Sequence, residues 1–266
     1  MSDSPSPFDH SAVVGTLRAA GCVFAEDEAR LLLTAARSPA DLAAMLERRV
    51  AGVPLEQVLG WVQFCGLRIT VEPGVFVPRR RTEFLAECAA TLARSNATDG
   101  RSPVVVDLCC GSGAVGAALA ATLDRITLYS SDIDPAAVAC ARRNLPGSPV
   151  CEGDLYDPLP DTLRGHVDVL VVNAPYVPTD CIELMPPEAR LHESRAALDG
   201  GSDGTVVQRR VAAGAPAWLA PDGYLLIETS ETQAALTVAA IADVGMVPRV
   251  SRRDDLGATV VIAAMQ

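Results

Sequence analysis

Four polar residues in this 266-residue chain each follow an apolar run of the kind that strands buried on both faces require. Asp107 follows Val104-Val105-Val106, Asp132 follows Ile126–Ser131, Asp154 follows Val150-Cys151, and Asn173 follows Val167–Val172. Ligands of open parallel sheets sit outside the carboxyl ends of the strands, so four such residues in order describe one site. After Asp107 comes a small-residue turn, Cys109-Cys110-Gly111-Ser112-Gly113, and then a helical apolar pattern to Ala120. A strand, a tight turn and a helix bring glycine backbone and free N–H groups into one crevice. That crevice suits a dinucleotide or S-adenosylmethionine, and Gly111-x-Gly113-x-x-Gly116 fits the dinucleotide spacing as well. Asp132, about twenty residues after the turn, can accept both ribose hydroxyls. Asp134 precedes Pro135 and reads as a helix cap. Asp154 can take an adenine amino hydrogen while Leu155 packs on the ring.

Asp107, directly before the turn, separates the two ligands, because it resembles the acid opening the first motif of class I methyltransferases, D/E-x-G-x-G-x-G. Asn173-Ala174-Pro175-Tyr176 resembles the (N/D)-P-P-Y motif of methyltransferases acting on a planar nitrogen conjugated to a carbonyl or ring. Such a nitrogen is a poor nucleophile, since its lone pair is delocalised. The Asn173 side-chain oxygen and the carbonyl of Ala174 are two acceptors that can hold the NH2 hydrogens and stabilise charge developing on nitrogen. Pro175 stiffens the turn, and Tyr176 offers a ring against the substrate plane. The proton can leave after transfer, so in-line positioning supplies most of the rate.

These residues need a scaffold of alternating strands and helices, which implies a parallel sheet. Helices are expected at Pro135–Leu145, Val206–Leu219 and Gln233–Val244, with a fifth strand at Gly223–Glu228. Val247–Val250 and Ala258–Ala263 close the chain as a hairpin. Upstream, Met1–Pro7 reads as frayed, and three helices follow. The first carries Val13, Val14 and Leu17 and stops at Gly21. The second, Glu26–Ala36, has Leu31-Leu32-Leu33 as its buried stripe. The third starts at the cap Ser38-Pro39, carries Leu42, Met45 and Leu46, and breaks at Gly52-Val53-Pro54. Phe64–Val71 and Val75–Val77 read as strands joined by the turn Glu72-Pro73-Gly74. Thr82 reads as the cap of a helix through Phe84, Leu85, Cys88 and Leu92, and Asn96–Pro103 as a loose linker end. This divides the chain into a helical domain at 1–60, a hairpin and linker helix at 61–100, and an α/β domain at 101–266.

Composition limits the functions available. With 33 acids against 22 bases the net charge is −11, and every base is arginine, so a large nucleic-acid footprint is not expected. The eight cysteines include no C-x-x-C pair, and the three histidines are scattered, so no metal site is expected. Without a signal peptide or an apolar run near eighteen residues, the chain reads as a reduced, soluble, cytoplasmic protein with no membrane contact. Nothing in it demands more than a monomer.

Over most of its length the sequence resembles the HemK/PrmC family of protein-(glutamine-N5) methyltransferases, which modify the Gly-Gly-Gln loop of peptide chain release factors. The resemblance covers the small helical domain and PLEQVLGWVQFCGLRITVEPGVFVPRRRTEFL, similar to a family linker ending in PRPETE. It continues through DLCCGSG, SDID, GDL and NAPY, and through Glu188–Gly201, similar to E-P-x-x-A-L-x-G-G. The linker and NAPY are more specific than the nucleotide motifs, which class I methyltransferases share. The resemblance implies a Rossmann-like, mostly parallel sheet with a C-terminal antiparallel hairpin, and S-adenosylmethionine as cofactor. It implies cofactor contacts from Cys109, Cys110, Gly111, Ser112, Gly113, Asp132, Leu155 and Asn173. It also implies that Asn173–Tyr176 hold the substrate glutamine, with Phe76, Arg79 and Thr82 lining the same pocket. Three departures stand out. Cys109 replaces a glycine, which is expected to set the backbone slightly further from the methionine part. Ala174 replaces a proline, leaving the turn less rigid. Arg80 and Arg81 replace a proline and an acid, which reverses charge at the pocket mouth. The competing readings are a glutamine in a ribosomal or other protein, adenine-N6 methylation of nucleic acid, and cofactor binding without catalysis. The net charge and the lack of a target-recognition domain oppose the nucleic-acid reading.

Overall fold

The structure is a computed structural model that describes residues 9–96 and 101–265. The frayed start expected at Met1–Pro7 and the centre of the 96–103 linker lie outside the described residues.

Four helices form the N-terminal part: α1 His10–Ala19, α2 Ala25–Ala35, α3 Pro39–Val50 and α4 Leu55–Leu59. Local caps start two of them. Asp9 accepts from the Ser11 N–H and Ser38 from the Asp41 N–H, with Pro39 in the first turn of α3. Val13, Leu17, Leu32, Leu42 and Val58 meet in one buried cluster. Leu32 alone of Leu31-Leu32-Leu33 is buried, because consecutive helical residues diverge by about 100° and cannot share a face. Arg49 is buried between Glu28 and Glu188, 2.6 Å from a carboxylate oxygen of each, and so ties this part to the segment after the fourth sheet strand.

The linker differs from expectation. Phe64–Val71 is not one strand: β1 Trp61–Phe64 and β2 Leu67–Thr70 pair antiparallel around Cys65-Gly66, where the glycine has φ 77°. Val75–Val77 forms no strand, because its backbone groups are taken elsewhere. The Val77 N–H donates to the Glu193 carboxylate at 3.2 Å, and the Gly74 carbonyl accepts from Ser194 N at 3.0 Å. Thr82 does not cap the next helix. It lies in a 3-10 turn, Arg80–Thr82, leading into α5 Glu83–Asn96, and its side chain is buried.

The remainder is a three-layer α/β unit. Its sheet holds β3 Val104–Leu108, β4 Thr127–Asp132, β5 Val150–Glu152, β6 Val167–Val172, β7 Leu219–Thr229, β8 Val247–Arg253 and β9 Ala258–Ala264, in the order β5-β4-β3-β6-β7-β9-β8. The first five run parallel, as expected. The C-terminal hairpin is antiparallel and inserts β9 between β7 and β8. All six residues of β6 are buried, as a central parallel strand requires. Alternate side chains point to opposite faces. Val105, Val169 and Leu226 pack under α5, α6 Ala114–Thr122 and α7 Pro135–Asn144. Val106, Leu170, Leu225 and Ile227 pack under α10 Val206–Gly214 and α11 Ala234–Ala242. The helix expected to reach Leu219 ends at Gly214, since Pro216 follows and Leu219 already pairs with Val167. Two short helices, α8 Pro187–His192 and α9 Arg195–Leu198, lie in the connection between β6 and α10.

Candidate active site

One cleft at the carboxyl ends of the parallel strands gathers Asp107, Asp132, Asp154 and Asn173, together with Phe76, Arg79 and Thr82 from the linker. Cys109, Cys110, Gly111, Ser112, Leu155, Ala174, Pro175 and Tyr176 also line it. Gly113, φ 77°, sits behind the wall at the start of α6, where a Cβ would press on Leu145 and Ala141. It is therefore a packing glycine.

The acids shape the turn. Asp107 is buried and its Oδ2 accepts the Gly116 N–H of α6 at 3.0 Å. Burial pushes its carboxyl up to about 7, with the Asp132 charge adding to the shift and the Gly116 N–H opposing it. Asp132 accepts the Gly111 N–H at 2.8 Å through one oxygen and the Asp134 N–H at 2.9 Å through the other. Burial raises its pKa too, and those N–H groups lower it. Asp134 caps α7 through the Ala136 N–H, as expected. Cys109 stands at φ 56°, so the residue replacing a glycine keeps a left-handed backbone. Asp154 is held by an ion pair with Arg210 of α10 at 2.6 Å. Leu155, φ 49°, has its carbonyl fixed by the Ser131 hydroxyl at 2.9 Å. Ile133 was not singled out from the sequence, yet it lines the cleft with 57% of its surface exposed, an apolar plate between two acids.

Across the cleft, the Asn173 Nδ2 group donates to the Thr82 hydroxyl at 3.4 Å. Ala174 is buried. The Tyr176 carbonyl accepts from Gln233 Nε2 at 2.8 Å. Gly204, φ 75°, approaches that carbonyl so closely that a Cβ would collide with it. The NAPY turn is thus clamped from outside, which offsets the proline missing at position 174.

Residues 66–220 match the methyltransferase small domain family. A release factor glutamine methyltransferase of Geobacter sulfurreducens is 39% identical over 204 residues, 74% of this chain and 69% of that protein. One of Mycolicibacterium smegmatis is 36% identical over 237 residues, 86% and 82% of the two chains. The chain belongs to the release factor glutamine methyltransferase family. Among solved structures, a 16S rRNA N2 G1207 methyltransferase of T. thermophilus superposes with a TM-score of 0.53 at 19% identity, covering 77% of this chain and 50% of that one, a likeness of fold alone.

This family member departs from PRPETE at Arg80 and Arg81, and the structure shows how these two and the matching Arg79 are held. Arg79 stacks over Phe76 at 4.8 Å and binds both oxygens of Glu193, at 2.6 and 2.8 Å. Arg80 is exposed. Arg81 turns inward, donates to the Tyr176 hydroxyl, and brings its Nε to 3.5 Å from Glu228 Oε1. Arg80 and Arg81 are both exposed to solvent, but Arg81 also reaches the cleft through Tyr176 and Glu228. Glu228, near the end of β7, lies buried behind the cleft beside Arg81 and was not singled out from the sequence. It follows Leu225-Leu226-Ile227 just as the other four polar residues follow their strands, so the same rule would have found it.

Proposed function

We propose that this chain transfers the methyl group of S-adenosylmethionine to the side-chain nitrogen of a protein glutamine, the one in the Gly-Gly-Gln loop of peptide chain release factors. The observation that carries the reading is Asn173-Ala174-Pro175-Tyr176 at the end of β6, facing the linker residue Thr82 across a cleft whose other half is acidic.

The residues present fit the cofactor. It is a cation with a ribose and an aromatic base, and the cleft offers the carboxylates of Asp107, Asp132 and Asp154 among others, a turn with left-handed Cys109 and Gly111, and apolar surface from Ile133 and Leu155. Asp132 and Asp154 would hold the nucleoside, and residues 107–112 the methionine part. When bound, S-adenosylmethionine supplies an electrophilic methyl on a sulfonium.

The chain's own residues then orient and desolvate. The Asn173 oxygen and the Ala174 carbonyl would take the two amide hydrogens and hold the nitrogen lone pair toward the cofactor half. Phe76 and Tyr176 would flank the amide plane, stiffened by Arg79 and Arg81. We also take residues 1–60 as a separate docking unit for the protein substrate.

Labelled methyl transfer to purified release factors, compared with versions carrying Gly-Gly-Ala, tests the reading. Label that vanishes with the glutamine supports it. Cofactor binding with no transfer to any factor would move the substrate to another protein glutamine. Among the described residues no helix is long and apolar enough to cross a membrane, and no cluster of His, Cys, Asp and Glu could hold a metal ion.

A further inference from the structure

In the proposed reaction the Ala174 carbonyl takes one hydrogen of the substrate amide, so its direction matters as much as its presence. Pro175 has a locked φ, but Ala174 keeps the rotation that a proline would remove. The turn must therefore be held at its ends. Asn173 continues from β6, whose six residues are all buried in the sheet. The other end is Tyr176.

Gln233 holds that end. It sits at the N-terminal cap of α11 and is 8% exposed. Its Nε2 group donates to the Tyr176 carbonyl at 2.8 Å and to the Asp203 carbonyl at 3.0 Å, while its Oε1 accepts from the Ser230 hydroxyl at 2.6 Å. Carbonyls only accept, so the Gln233 amide has one direction, with both hydrogens toward them. Its backbone is fixed as well. The Gln233 N–H donates to the Ser230 carbonyl at 3.1 Å, and its carbonyl accepts from Leu236 N at 2.9 Å. Gly204, at φ 75°, leaves room for the arrangement, since a Cβ there would collide with Nε2 and the Tyr176 carbonyl together.

We infer that Gln233 is a positioning residue for methyl transfer, which fixes the Asn173–Tyr176 turn from outside and so keeps the Ala174 carbonyl aimed at the substrate amide. The inference rests on the proposal that Ala174 holds a glutamine amide. It makes the reaction depend on a side chain of α11 that does not line the cleft, with Ser230 fixing that side chain in turn. Without the Gln233 donors, Ala174 can rotate and carry its carbonyl away from the amide. A proline at position 174 removes that rotation, so the two substitutions act on one turn and their effects do not add. Among the described residues no turn or loop hydrogen bond is donated by the Ala174 N–H, so a proline there breaks none.

Single-turnover transfer of labelled methyl at saturating release factor tests this on the full chain, with S-adenosylhomocysteine affinity as the check on the cofactor half. Gln233→Met should slow transfer about 10- to 100-fold, the loss expected for a misplacement near 1 Å, with cofactor affinity unchanged. In an Ala174→Pro protein the same substitution should cost no more than about threefold. Where Gln233→Met does not fold, Ser230→Ala is read in the same two backgrounds by the same criteria, because it releases the Gln233 amide and leaves its donors in place. An unchanged rate, or a loss equally large with and without the proline, overturns this inference alone. So does an Ala174→Pro protein that binds the cofactor and transfers no methyl, and so does a Gln233→Met protein whose cofactor affinity falls with its rate. A wild type that transfers no methyl to the Gly-Gly-Gln glutamine overturns the inference together with the reading beneath it.

Discussion

Arg79 and Glu193 lie 2.6 Å apart in the wall of the cleft, and the Glu193 side chain has no exposure to solvent. The pair joins the linker to the connection between β6 and α10, so the pocket wall consists of segments 114 residues apart. Burial raises the Glu193 pKa and Arg79 holds it down. Arg79→Ala should cost about 1–3 kcal/mol, since it strands a buried acceptor. With the arginine gone Glu193 protonates more readily, so the cost should shrink as the pH falls. Urea unfolding at pH 8 and pH 5 checks both points, and an equal loss at the two values would count against the account.

Removing the acceptor on Asn173 should act on the chemical step. Asn173→Ala is expected to lower kcat by about 100- to 1,000-fold, the usual loss for one preorganised polar group. Single-turnover transfer of labelled methyl measures it. Unchanged transfer would show that the NAPY turn does not hold the substrate nitrogen.

Asp107 should couple stability and cofactor binding to pH. Its folded pKa stands at about 7, above the ordinary 3.8. The unfolded chain therefore loses this proton first, and the stability from this group is present below about pH 4 and is lost as the pH rises to about 7. The groups bearing on it are Asp132 from β4, the Gly116 N–H from α6, and the neutral Cys109 and Cys110 thiols. A cationic cofactor favours the ionised form, so its affinity should rise between pH 6 and pH 8. Binding near pH 6 should also release protons. Calorimetry in buffers of different ionisation enthalpy reads both, and Asp107→Asn should flatten both.

Cys109 holds a left-handed backbone that disfavours a Cβ. Cys109→Gly should relieve about 1–2 kcal/mol of strain and give back about 0.4–1 kcal/mol through the looser unfolded chain. The net is a small gain in Tm with methyl transfer retained. Cys109→Val should lower Tm clearly, because a β-branched residue tolerates φ 56° poorly. Calorimetric melting of the three proteins decides.

Much of the scaffold could be read along the chain, because its signals are local. Val167–Val172 is apolar throughout and forms a strand with those bounds. Ser38 and Asp134 cap their helices through N–H groups two or three residues on. Asp107, Asp132, Asp154 and Asn173 sit at or just past strand ends, and a parallel sheet gathers such ends by its topology. Strand and loop could not be told apart in the linker. Val75–Val77 is apolar like a short strand, but Val77 and the adjoining Gly74 find their hydrogen-bond partners in residues 193 and 194.

The sequence by itself determined the sheet, the cofactor-facing turn and the NAPY corner, because apolar period, glycine and capping act within a few residues. Only the tertiary structure decided which charges enter the site. Arg81 and Glu228 are separated by 147 residues and by no pattern that relates them, yet they meet beside Tyr176 and Thr82. Glu228 is buried and needs a cation beside it, since desolvation penalises its charge alone, and the part-exposed Arg81 supplies one. That requirement is met by the packing of β7 against the linker, a relation that exists only in three dimensions.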